Sequence, residues 1–150
     1  MKKQLILIIL GILATSLTAI ASPGAAMLEE HYKAALNRMT QEVRQAPDPE
    51  AKREILNRFI DKMEAGLQKA EGFESLEEQD KASLRAVAGK FYAYDAELNG
   101  TGGIAPVANA DLDAFAGYIQ QGMEQAPIGD GVYISGGALL VIIVLLIILL

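Results

Sequence analysis

The stretch Ala46-Pro-Asp-Pro-Glu-Ala-Lys-Arg-Glu-Ile-Leu-Asn-Arg-Phe-Ile-Asp-Lys-Met-Glu-Ala-Gly-Leu-Gln-Lys-Ala70 decides the fold. Leu56, Ile60, Met63, Leu67 and Ala70 recur at spacings of four and three, and Ile55 and Phe59 widen the stripe. Charged and amide side chains fill the positions between them. That is the period of a helix with one apolar face, and no strand shows it. The start of the helix has its own chemistry. Asp48 can accept from free N–H groups, Pro49 is tolerated in the first turn, and Glu50 suits the positive end of the helix.

The same period extends outward on both sides. Upstream, Leu28, Tyr32, Leu36, Met39, Val43 and Ala46 repeat it; downstream, so do Leu84, Val87, Phe91, Tyr94 and Leu98. A shorter segment follows with Leu112, Phe115, Ala116, Ile119 and Met123. Alternating patterning of comparable length does not occur. Three helices of about 23 residues would each run roughly 35 Å, and short loops between equal helices favour antiparallel neighbours. The expected class is all-α: a small antiparallel bundle of three long helices and one shorter, with a C-terminal transmembrane helix.

Breakers mark the remaining boundaries. Gly72 is expected to end the second helix in the left-handed conformation, and Ser75-Leu-Glu-Glu78 has the spacing of a capping box. Asn99-Gly100 ends the third helix. Thr101–Ala110, rich in Gly, Ala, Pro and Asn, reads as a flexible surface connection. Asp111 or Asn109 would cap the fourth helix, and Pro127, Gly129 and Gly131 form a hinge. Gly66, Gly89 and Gly117 fall inside helices, either to allow close contact or as tolerated positions.

The two ends differ from this middle. Leu5–Ala21 and Val132–Leu150 carry no charged side chain, whereas all 19 acidic residues lie in 22–131. Lys2-Lys3, the apolar run and Ala19-Ile20-Ala21 form the three parts of an export signal, cleaved after Ala21 so that Ser22 begins the mature chain. Its rival is an uncleaved anchor, because 17 residues reach the lower edge of a membrane span. At the other end, Leu139–Leu150 contains only Leu, Ile and Val, and Tyr133 stands where an interfacial aromatic would. The expected organisation is a signal peptide over 1–21, a helical domain over 22–131 and a transmembrane helix over 132–150.

Charge orients the chain. The basic residues beyond Lys3 lie between Lys33 and Lys90, and from Phe91 onward there are six acids and no base. Lysine and arginine concentrate on the cytoplasmic side of membranes, so Lys2 and Lys3 belong inside and 22–131 outside. The expected location is the cell membrane, single-pass, with 22–131 on the extracytoplasmic side.

Composition also limits the chemistry. No Cys excludes disulfides, thiolate metal sites and a cysteine nucleophile, and one His excludes a two-histidine metal site. A net charge of −6 argues against nucleic acid. Asp95-Ala-Glu97-Leu-Asn99-Gly100 opens like a calcium loop, but position twelve is Pro106, which has no side-chain oxygen. His31, off the strongest stripe, reads as a solvated surface residue, and Ser75, Ser83 and Ser135 lack the context of a nucleophile. Phe91 and Tyr94 fit the core; Tyr92 lies off that face and could be a contact residue. Accordingly no catalytic, cofactor-binding or metal residue is expected, and no cofactor.

What is left is a non-enzymatic interaction or structural module of the cell envelope, partnered by the lipid bilayer and an envelope protein. The alternative class is a membrane-active or self-associating protein whose C-terminal helix is itself functional. Ser135, Gly136, Gly137 and Ala138 would permit close helix approach there. An enzyme ranks last. In either of the first two classes, residues 22–131 should fold as a helical unit without the hydrophobic ends.

Overall fold

The computed structural model describes residues 23–125 and 136–149. Among them are five α-helices, one short 3₁₀ turn and no strand: α1 (Pro23–Gln45), α2 (Pro49–Glu71), α3 (Glu78–Asn99), the 3₁₀ turn Asn109–Asp111, α4 (Leu112–Glu124) and α5 (Gly136–Leu149). Most of the apolar positions read from the sequence form the core; the Leu28 side chain lies outside the described residues, and Ala46 is half-buried. Leu56, Ile60, Met63, Leu67 and Ala70 are buried on α2, and Leu84, Val87, Phe91, Tyr94 and Leu98 on α3. Tyr32, Leu36, Met39 and Val43 line α1, and Leu112, Phe115, Ala116, Ile119 and Met123 line α4.

The long helices alternate in direction. Arg85 pairs with Glu71 at one end of the α2–α3 pair, and Asn99 donates to Asn57 at the other. Phe59 meets Phe91 edge-on with centroids 5.9 Å apart, and Phe91 meets Tyr94 likewise at 5.7 Å. Such T-shaped contacts place a positive ring edge against a negative ring face.

Each of α1, α2 and α3 buries a single stripe, so whatever completes the bundle must lie on that one side. Two short helices do so. α4 packs on α1 and α2, and α5 packs on α1, α2 and α3. α4 starts where Asp113 meets Lys52, at the first turn of α2, and ends where Tyr32 reaches Met123. α5 starts at the opposite end, beside Asp80 in the first turn of α3. At 13 and 14 residues they measure about 20 and 21 Å, against about 35 Å for the long helices. The fourth corner is filled in two pieces.

Several sequence expectations need correction. The C-terminal segment was expected to be a transmembrane helix over 132–150. Instead α5 covers Gly136–Leu149 and lies against the bundle, burying Ala138, Ile142, Ile143 and Leu146. No helix among the described residues is long and apolar enough to cross a membrane. α5 falls short by its length of 14 residues, and it lies on the bundle because α4 is too short to cover the stripes of helices nearly twice its length, so that α5 supplies the missing apolar surface.

Gly72 closes α2 at φ −72°, in the ordinary helical region, rather than left-handed. Nor does Ser75 cap α3. The chain continues through turns in which the Phe73 N–H donates to the Ala70 carbonyl and the Leu76 N–H to that of Phe73, and α3 begins after Glu77 without a side-chain cap. Asp111 precedes α4, also without a side-chain cap bond. The Asp48 cap forms as read, its carboxylate accepting from the Ala51 N–H at 2.8 Å. Gly100 takes the left-handed conformation at φ 71°. A Cβ would fit beside Gly89 and Gly117 with nothing within 4 Å, so at these two positions glycine is tolerated rather than required. The signal segment 1–21 and the hinge residues Pro127, Gly129 and Gly131 lie outside the described residues.

Candidate functional site

The residues singled out in the sequence do not converge. His31 is exposed on α1. Ser83 is buried, and its hydroxyl donates to the Gln79 carbonyl one turn earlier at 3.0 Å. Ser75 is exposed, and Ser135 lies outside the described residues. Asp95 and Glu97 belong to α3, and Asp95 accepts from Asn99 at 2.8 Å. Among the described residues no group of three or more His, Asp and Glu could hold a metal ion. Tyr92 is 54% exposed, as its position off the stripe implied.

Thr101–Ala110 is less free than its composition suggested. Arg53, from α2, donates to the carbonyls of Leu98 and Val107 and to the Asn109 side chain. The Val107 N–H returns to the Glu97 carbonyl at 3.0 Å, and Pro106 lies over Gly100 so closely that a Cβ there would meet it at 2.6 Å. A guanidinium with several fixed donors suits this work, since it satisfies carbonyls on two segments at once.

Two titratable groups stand out. Burial pushes the Tyr32 phenol upward, with Glu124 and Tyr94 adding to the effect, so its proton stays in place to hold the Met123 carbonyl. Glu64 is also pushed upward, first by desolvation and then by Asp95 and Asp61. Its Oε1 is buried without a hydrogen-bond partner among the described residues. An acid raised this way destabilises the fold when it ionises.

The feature with the least ordinary chemistry is α5 and its seat. The inner side carries Ala138, Ile142 and Leu146 at helical spacing, all fully buried. On the outer side Leu140 and Val144 are partly exposed, and Ile148 is 48% exposed. A water-facing helix would place polar residues there. Here none exist, because the helix is apolar on every side. Its first turn lies against a charge: a Cβ on Gly137 would fall 2.6 Å from the Asp80 carboxylate, which sits at the positive end of the helix dipole. Among the small residues at this end that the sequence picked out, Gly137 makes the close approach, though to α3 of its own bundle. Asp80 carried no signal in the sequence, being one carboxylate among many.

No protein family, curated protein or solved structure matches the chain.

Proposed function

We propose that this is an exported, membrane-anchored helical protein acting as a non-enzymatic interaction or structural module at the cell envelope. In this reading 1–21 directs export, 22–131 stands on the extracytoplasmic side, and 132–150 anchors the chain in a single pass. The observation that carries it is the outer face of α5: Leu140, Val144 and Ile148 form an apolar ridge that water does not favour and lipid does. At about 21 Å, α5 alone falls short of a hydrocarbon core of about 30 Å, so a span needs the helix to take in residues before Gly136. The basic start and the all-acidic flank give the orientation. A reporter active only outside the cytoplasm, placed in Thr101–Ala110, should be active. Activity of a cytoplasmic reporter alone at that site would reverse the orientation.

A second reading has one observation in its favour. α5 packs along the bundle instead of trailing from it, which supports a helix that does more than tether. Exchanging 132–150 for an unrelated membrane helix separates the two readings. A tether survives the exchange with function intact, and a functional helix does not.

A further inference from the structure

We infer that α5 is a stored helix: it occupies the open half of its own bundle in water and leaves that seat for a lipid bilayer. This rests on the anchor reading above and adds to it that the anchor has a second, intramolecular place. Three observations lead there. Among the described residues the seat is apolar and filled by α5 alone, since α4 covers only the part of the long helices from the Lys52–Asp113 pair to Tyr32. α5 fits it with one face only, and the other face gains nothing from water. The contrast with α4 is the third. α4 is held along its length by side-chain hydrogen bonds and an ion pair from α1 and α2, whereas among the described residues the polar contact of α5 lies at its first turn, beside Asp80. Beyond that first turn the interface is apolar contact, which is exchanged at little cost for another apolar surround, because lipid tails satisfy Leu, Ile and Val as well as a protein core does. Once in lipid, both faces of the helix are covered. The structure therefore holds the water-compatible arrangement of a helix that has a second solvent.

The Asp80–Gly137 contact makes the exchange controllable. A Cβ on Gly137 would lie 2.9 Å from the Asp80 Cγ, which brings the two positions within reach of a disulfide. The chain contains neither Cys nor Trp, so an engineered pair and a single reporter have no background. The test uses the full chain carrying Asp80→Cys, Gly137→Cys and Val144→Trp, mixed with phosphatidylcholine vesicles brominated deep in the acyl chains. The indole introduced by Val144→Trp reports on α5 alone and is blind to Leu5–Ala21. Reduced protein should show quenched indole fluorescence; oxidised protein should lose the quenching and regain it with reductant. Gly137→Val with Val144→Trp, which crowds Asp80 without any lock, should be quenched more than Val144→Trp alone. Failure of the disulfide to form would overturn the stored position. Equal quenching in oxidised and reduced protein would overturn the exchange and leave the anchor standing. Absence of quenching in every variant would overturn the exchange and the anchor together.

Discussion

α4 and α5 are neighbours in sequence, nearly equal in length, and share one corner of the bundle, yet they are held by different physics. α4 is amphipathic and tied at several points. Thr40 donates to Gln120 at 2.8 Å, Gln120 donates to Asn37, Lys52 pairs with Asp113, and Tyr32 holds Met123. Each bond adds little, but together they fix register and rotation. α5 has no polar side chain, so beyond the Gly137–Asp80 approach no side-chain bond of its own fixes its rotation. A helix can thus be equally buried and unequally committed. Directional groups, not apolar area, decide whether a segment has one place or two.

The comparison breaks most sharply at the core positions. Ile119→Ala in α4 should cost about 2–5 kcal/mol, read as a lower denaturation midpoint with an unchanged slope. Ile142→Ala in α5 should cost the bundle clearly less, because the undocked chain keeps its other helices. Equal losses would mean that the two helices are equally committed. Next come the two glycines. A Cβ at Gly122 would meet the Tyr94 hydroxyl at 2.3 Å and push a ring that stacks edge-on with Phe115 and Tyr118. Gly122→Ala should therefore cost about 1–3 kcal/mol. Gly137→Ala crowds the half-buried Asp80 carboxylate and should leave the melting temperature nearly unchanged while loosening α5, visible as faster amide exchange in that helix.

Legibility in the sequence followed the same division. Stripes with a period were readable at most of their positions, because an amphipathic helix states which face it buries; Ala46, the last position of the first stripe, instead lies past α1 and is half-buried. Phe59, Phe91 and Ile119 each stand where the spacing put them. α5 has no period, so its sequence says that it avoids water and nothing about which face is inner. The Arg53 clamp was unreadable for another reason. It joins residues 45 to 56 positions apart, and only the folded chain brings them together. Gly72 and Gly100 look alike as helix stops, but only Gly100 is left-handed: Pro106 folds back over it, whereas the chain after Gly72 moves on through a succession of turns. The candidate site was half legible: the sequence marked the apolar tail and missed Asp80.

Smaller effects lie outside the shared corner and serve as its baseline. Glu64 binds its proton more tightly folded than unfolded, so the folded state is relatively favoured below its ordinary value of 4.5 and loses that advantage as pH rises past it. Glu64→Gln should stabilise the protein at pH 7, by under about 1 kcal/mol because the side chain is only partly buried, and have little effect near pH 4. A thermal melt at the two pH values measures it, and stabilisation at both would remove ionisation as the cause. His31→Ala should change neither melting nor vesicle binding, and a loss in well-folded protein would reinstate a role for the imidazole.

The Arg53 clamp divides the connection between α3 and α4 into two parts with different tolerance for added sequence. From Pro106 to Asn109 the chain is pinned by the guanidinium and by its return to Glu97, and extra residues there would pull α4 out of register. Gly102 and Gly103 are exposed, have positive φ and face open space. An insertion between these two glycines would lengthen a loop already closed by the clamp, and each doubling of its length would cost only about 0.6 kcal/mol. An epitope or a whole reporter domain is best grafted at that junction, a few residues from the guanidinium that keeps the two helices on either side of it in place.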